Sequence, residues 1–203
     1  MDVCELIDLT AINRLDEYVK LLAKWRKVTN LIAEDSFTAI WERHILDAVY
    51  LQRQRPMAKS WLDFGSGAGL PAAIIAILIA DVPESQVHCV EVDRRKCSFL
   101  REVASKLAIP LKVHNALAEN FDNSIAHPFD VVTARAFSSI ERILKVAHPF
   151  LREGTVAILP RGRHARDEVA RLDDDIYRID VTANPCPGDG VFVRLELRAP
   201  HSL

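Results

Sequence analysis

Apolar positions recur every three to four residues from about Leu6 to Leu31, with Leu15, Val19, Leu22, Trp25 and Val28 on one stripe. That spacing predicts an amphipathic helix. A second helix is predicted from Phe37 to about Gln54, with Ser36 as its cap and Ile40, His44, Asp47 and Leu51 stacked along one side. Gln52 to Ser60, which contains Pro56, is polar and marks the boundary between a helical extension (residues 1–55) and a main body (residues 56–203). From Ser60 the period changes, and short apolar runs alternate with helical patterns. Strands are expected at Trp61–Phe64, Val87–Val92, Leu111–His114, Phe129–Thr133 and Thr155–Leu159. Helices are expected at Leu70–Ile79, Arg94–Leu107, Ile140–Ala147 and Ala165–Leu172. Two alternating runs, Tyr177–Thr182 and Val191–Arg198, flank a Pro/Gly-rich connector and read as a terminal antiparallel hairpin. The sum is an α/β fold: a doubly wound, mostly parallel sheet of about seven strands, with helices on both faces.

Composition narrows the class without changing that picture. The chain has 203 residues, half of them apolar, which suits one domain with a sizeable core. Its longest apolar run, Leu70–Ala80, is too short to cross a bilayer. The first residues have no basic stretch followed by an apolar one, so a cytoplasmic protein without a secretory signal is expected. Cys4, Cys89, Cys97 and Cys186 form no CxxC pair and are expected to be reduced, with no metal site. A net charge of −2 excludes a surface that is basic all over, so any nucleic-acid contact must use local basic patches.

The candidate chemistry centres on Asp63-Phe64-Gly65-Ser66-Gly67-Ala68-Gly69-Leu70, between the first strand and its helix. Glycines at 65, 67 and 69 permit a tight turn and close approach of a ligand to the backbone. A P-loop is excluded, because no Gly-Lys-Ser/Thr follows, and a dinucleotide fingerprint is disfavoured because Leu70 occupies its third small position. The D-x-G-x-G-x-G form resembles motif I of the S-adenosylmethionine-dependent methyltransferases. Glu91, at the end of the second strand, is placed to accept hydrogen bonds from ribose hydroxyls, with Asp93 as the competing acid. Ala118 and Glu119 follow the third strand, where a backbone amide could read an adenine ring. Arg135 follows the fourth strand at the same edge, either in the site, or a solvated loop arginine, or a partner of Asp130. Arg161, Arg163, His164 and Arg166 form a basic cluster after the fifth strand, suited to phosphate, or else to a salt-bridged helix start with Asp167 and Glu168. His44 and Asp47, one turn apart, read as a histidine hydrogen-bonded inside the helical extension rather than a catalytic dyad. Tyr18, Trp25 and Trp41, at helical spacing, read as sealing the helices onto the sheet rather than stacking bases.

Several segments together resemble the bacterial 16S ribosomal RNA guanine-N7 methyltransferases of the glucose-inhibited-division B type. They are Trp25-Arg26-Lys27-Val28-Thr29-Asn30-Leu31, Trp41-Glu42-Arg43-His44-Ile45-Leu46-Asp47, Gly65-Ser66-Gly67-Ala68-Gly69-Leu70-Pro71, Phe99-Leu100-Arg101-Glu102-Val103 and Thr133-Ala134-Arg135-Ala136-Phe137-Ser138-Ser139. The resemblance implies a class I methyltransferase fold, S-adenosylmethionine as cofactor, and 16S ribosomal RNA or the small ribosomal subunit as partner. It brings no membrane and no obligate protein partner. It places the cofactor contacts on Gly65, Leu70, Ala118, Glu119 and Arg135, which join Gly67, Gly69 and Glu91 from the residue-level reading. Departures are Ala72 for the usual glycine, Arg26 for asparagine, and Arg161-Gly162 for Lys-Gly. Because Arg is not interchangeable with Lys, Arg161 is carried forward, with Arg135, for substrate positioning only. The competing readings are a methyltransferase for a small molecule or protein, and a non-catalytic nucleotide-binding module.

Overall fold

The computed structural model describes residues 7–33, 37, 39–122, 128–135, 138–173 and 175–198. Cys4, the expected cap Ser36, and Ala136 and Phe137 of the segment after the fourth strand lie outside the described residues. Helix α1 spans Leu9–Trp25, opened by Asp8, whose carboxylate accepts from the Ala11 amide at 2.8 Å. It stops six residues short of the expected end, and Val28 lies on the exposed side of the turn that follows. The second helical segment is not one regular helix. A π turn, Trp41–Ile45, runs into α2, Leu46–Arg53. Such single π turns re-aim side chains and recur at functional sites.

The body then builds β1 (Ser60–Phe64), α3 (Ala72–Leu78), β2 (Gln86–Glu91), α4 (Arg94–Leu107) and β3 (Leu111–Asn115). There follow β4 (Val131–Thr133), α5 (Ile140–Ala147), β5 (Val156–Arg161), α6 (Ala165–Val169), β6 (Tyr177–Ala183) and β7 (Val191–Leu197). The seven strands stand in the order β3-β2-β1-β4-β5-β7-β6, parallel from β3 to β5 and antiparallel at the β7 and β6 hairpin. The chain winds outward from β1 on one side and returns on the other. That reversal opens a crevice beyond the carboxyl ends of β1 and β4, where open sheets bind ligands.

Alternation along β1 sorts two cores. Trp61 faces one with α1, α3 and α4, whereas Leu62 and Phe64 face the other with α5 and the terminal hairpin. Helix α3 is buried all round from Ala72 to Ile77, which explains its lack of a polar face. The sheet covers one side and α1 and α2 cover the other. The helical extension therefore shares its core with the body. Two polar contacts fix it there: Trp25 donates from its indole to Glu102 at 2.8 Å, and the buried Tyr18 hydroxyl donates to the Ala68 carbonyl at 2.8 Å. Tyr18 and Trp25 also pack their rings against Phe99. Tyr18 and Trp25 thus seal the extension against Phe99 of α4 rather than against a strand, and Trp41 packs partly buried on the same core.

Candidate functional site

The turn after β1 has all three glycines in the left-handed region, with φ of 71° at Gly65, 56° at Gly67 and 84° at Gly69. The positions are not equivalent. A Cβ at Gly67 would meet nothing closer than the Gly65 carbonyl at 3.9 Å, so this side is open to a ligand. A Cβ at Gly69 would lie 2.6 Å from the Ala73 Cβ and 2.7 Å from Leu100 Cδ2. Gly69 therefore lets α3 and α4 close against the turn, a packing demand. The turn is held from three sides. Gly65 donates to the Val90 carbonyl at 2.9 Å, Gly67 donates to Glu91 Oε2 at 2.8 Å, and the Ala68 carbonyl accepts from Tyr18. Leu70 is half-buried at its end, and Pro71 opens α3, so the helix begins two residues later than its apolar run.

Glu91 and Asp93 divide their work. Asp93 caps α4, accepting from the Arg95 amide at 2.7 Å and the Lys96 amide at 3.1 Å, and these bonds hold its pKa down. Glu91 is buried, with Oε2 on Gly67 and Oε1 accepting from the Asp93 amide at 2.9 Å. It is thus part of the turn and not a solvated helix cap. Behind the turn, Asp63 is 1% exposed and neither carboxylate oxygen has a hydrogen-bond partner among the described residues. The nearby Ser66 hydroxyl donates instead to the Asp63 carbonyl, at 3.1 Å. Burial above all raises the Asp63 pKa to about 7. A buried acid without a hydrogen-bond partner among the described residues, behind a turn that is open at Gly67, suits a cationic partner. In the sequence Asp63 stands out only as the acid that opens the glycine motif.

After β3 a single 3₁₀ turn, Ala118–Asn120, carries the two residues expected there. Ala118 is buried, while Glu119 points outward to an ion pair with Arg142 at 3.2 Å. Two exposed apolar side chains, Val92 and Leu117, stand just past the ends of β2 and β3 and give this rim an apolar character. Neither stood out in the sequence, since single apolar residues at strand ends are common.

Arg135 is not the partner of Asp130. Asp130 accepts from the Lys59 and Ser60 amides at 2.7 and 2.9 Å, at the opposite end of the strands. Arg135 instead pairs with Asp47 at 3.2 Å and donates to the Arg43 carbonyl at 3.2 Å. Asp47 also accepts from the Asn184 side chain at 2.8 Å, tying the β6–β7 connector to α2. Asp47 therefore does not serve His44. Both ring nitrogens of His44 are buried without hydrogen bonds among the described residues, which corrects its expected role as a satisfied histidine. Burial, with the nearby Arg135 charge, lowers its pKa to about 4. It is neutral at pH 7.

These groups line a cavity of about 430 Å³ between the π turn, the end of β5 and the connector. Arg161 lines it at the β5 end, with Nε and Nη2 buried and unpartnered among the described residues and its pKa lowered by burial. Further along that edge, His164 and Asp167 lie 3.8 Å apart, and Glu168 accepts from the Ile140 amide at 2.8 Å. The Arg163 side chain stands exposed. Cys89, Cys97 and Cys186 are free thiols, all buried. Among the described residues no three His, Cys, Asp or Glu side chains come together as a metal cage. No described helix is long and apolar enough to cross a membrane.

The sequence matches the family described as rRNA small subunit methyltransferase G over residues 11–185. Two proteins named ribosomal RNA small subunit methyltransferase G are similar to it. The one from Parvibaculum lavamentivorans is 37% identical over 191 residues, 94% of this chain and 84% of that protein. The one from Rhodospirillum centenum is 39% identical over 194 residues, 95% of this chain and 87% of that protein. Among solved structures, a ribosomal protein L11 methylase from Lactobacillus delbrueckii subsp. bulgaricus superposes with a TM-score of 0.58 at 16% identity, covering 76% of this chain and 77% of that one. At that identity the likeness speaks for the fold alone.

Proposed function

The chain belongs to the rRNA small subunit methyltransferase G family, and on that premise we propose that it moves a methyl group from S-adenosylmethionine to N7 of a guanosine in 16S ribosomal RNA. The observation that carries this reading is the glycine turn tied to Glu91 and backed by the unpartnered Asp63, together with a cavity lined by Arg161, His44 and Arg135, whose charge reaches Asp63. Bound at the turn, S-adenosylmethionine supplies an electrophilic methyl group on a cationic sulfur. Gly65 and Gly67 let the backbone approach it, while Asp63 faces its ammonium and Glu91 its ribose. Leu70, Ala118 and the Glu119 backbone, with Val92 and Leu117 at the rim, enclose its adenine. Gly69 contributes by letting the turn pack.

Guanine N7 carries an in-plane lone pair and no proton at neutral pH, so transfer needs no general base. The protein's part is to fix donor and base in line and to exclude water. Orientation of that kind contributes on the order of 7–11 kcal/mol to barrier lowering. Arg135 holds the π turn and the connector in place around the base through Asp47 and Asn184. The helical extension of residues 1–55 clamps the methyltransferase body of residues 56–203 through Tyr18 and Trp25. The exposed Arg163 and Arg166 reach RNA phosphates, as charged side chains do in sequence-independent contacts. A ribosomal RNA substrate puts the work in the cytoplasm. The test is S-adenosylmethionine titration by calorimetry followed by labelled methyl transfer, comparing 16S ribosomal RNA with 30S particles from cells lacking the enzyme. Binding with transfer to either RNA substrate supports the proposal. Binding without any transfer to RNA contradicts it.

A further inference from the structure

We propose that Arg161 and His44 select the target purine by reading its six-membered ring, an inference that rests on the guanosine N7 reading above. The reacting atom cannot make that choice, because adenine and guanine both present N7 as an acceptor. They differ at position 6, beside N7, and along the Watson–Crick edge. Guanine has O6 as an acceptor and N–H donors at N1 and N2, whereas adenine has an amino donor at position 6 and an acceptor at N1. An enzyme that works on a base takes it out of its stack, leaving that edge free to be read.

Arg161 lines the cavity and has two buried nitrogens with no hydrogen-bond partner among the described residues, and a guanidinium offers donors only. Guanine O6 satisfies them, while the adenine amino group sets donor against donor. His44 lines the same cavity, with both ring nitrogens buried and without a hydrogen-bond partner among the described residues. Being neutral, it offers one N–H and one lone pair, and the lone pair accepts from guanine N1 or N2. As N7 gives its lone pair to the methyl carbon, the electrons of the old C–S bond leave with sulfur and the purine gains the positive charge. No proton moves. Purine N–H groups become stronger donors as that charge grows, so a neutral acceptor at His44 binds the transition state better than the ground state. Two of the other charged walls are already paired. Arg135 and Asp47 are spent on each other, with Arg135 also bonded to the Arg43 carbonyl and Asp47 to Asn184. The Cys186 thiol, pushed up by burial to about 12, carries no charge at neutral pH. Glu42 and Asp189 complete the acidic groups lining the cavity. Its volume of about 430 Å³ is in the range of small-ligand sites.

The test uses the full chain and 16S ribosomal RNA assembled by ligation. The nucleotide labelled by the wild type is replaced in turn by inosine, adenosine or 2,6-diaminopurine riboside, and single-turnover transfer is measured. The wild type should prefer guanosine over adenosine by about 10³-fold or more, as sites built on buried polar contacts do. Inosine, which keeps O6 and the N1 proton, should lose less than about tenfold, roughly one hydrogen bond. R161Q should bring the guanosine-to-adenosine ratio below about tenfold, and R161K, again only a donor, should restore much of it. H44F should lower kcat on guanosine about 10- to 100-fold with KM for RNA nearly unchanged, and H44Q should recover part of the loss. S-adenosylmethionine affinity, measured in parallel, checks that each variant is folded. Equal losses on guanosine and adenosine in both R161Q and R161K mark a phosphate contact and overturn the inference. So does an H44F defect confined to KM. A wild type that labels no guanosine sinks the function itself, a different result from unchanged selectivity in active variants.

Discussion

Replacing Asp63 by asparagine probes the donor seat in two opposite directions at once. The native acid is 1% exposed, and burial lifts its pKa from 3.8 to about 7. Between those values the folded state holds a proton that the unfolded chain has released. Stability attributable to this group is therefore complete below about pH 4, falls as pH rises, and is fully lost above about pH 7. A shift of about three units corresponds to a ceiling of about 4 kcal/mol at pH 8. Asparagine removes that penalty but leaves a buried amide without partners, which costs about 1–3 kcal/mol. The D63N protein without ligand should thus be more stable than the wild type at pH 8 by about 1–3 kcal/mol, with no gain at pH 4. Binding should move the other way. A charged hydrogen bond to the donor's ammonium is worth about 1.5–3 kcal/mol, so affinity at pH 8 should fall about 10- to 100-fold. The wild type should also bind more tightly at pH 8 than at pH 6, because the cation favours the ionised acid, and D63N should lose this dependence. Thermal unfolding with calorimetric titration at both pH values reads all of these. Equal affinity at pH 8 together with unchanged stability refutes the reasoning.

The two inner glycines should separate by phenotype. G67A fills open space at a left-handed φ of 56° and should fold with about 1–3 kcal/mol of strain and weakened donor binding. G69A meets Ala73 and Leu100 at 2.6 and 2.7 Å and should show its main defect in thermal unfolding. Y18F leaves the Ala68 carbonyl without its donor, costing about 1–3 kcal/mol. That loss should lower Tm by several degrees and weaken donor binding, although Tyr18 touches no ligand; unchanged affinity would separate the helical extension from the turn. R163A and R166A should each reduce the salt dependence of RNA binding by about one counterion without altering donor affinity, read from binding across a salt series.

Local pattern carried most of this fold into the sequence. The alternation of Trp61, Leu62, Asp63 and Phe64, and the apolar stripe of Arg94–Leu107, depend on neighbours a few residues away, so the strands and helices could be read directly. The glycine turn and Glu91 were legible for the same reason. Boundaries slipped where tertiary contacts decide them: α1 ends at Trp25, where its indole finds Glu102, rather than running on to Leu31. The π turn at Trp41–Ile45 has no period of its own and was read as ordinary helix. The cavity was least visible. Asp47 and Asn184 are 137 residues apart in the chain, and nothing local announces their hydrogen bond. The missing partners of His44, Asp63 and Arg161 are likewise a property of the packed molecule. Only the polar type of these residues could have marked them beforehand.

The most direct measurement is the position of the transferred methyl group. Labelled 16S ribosomal RNA, methylated by the purified protein, would be cleaved by chemistry selective for N7-methylated guanine and the ends mapped. The account predicts a single strong cleavage at one guanosine, dependent on the donor and absent with D63N at limiting donor. Label recovered on protein, on the ribose, or on a ring atom other than N7 contradicts it.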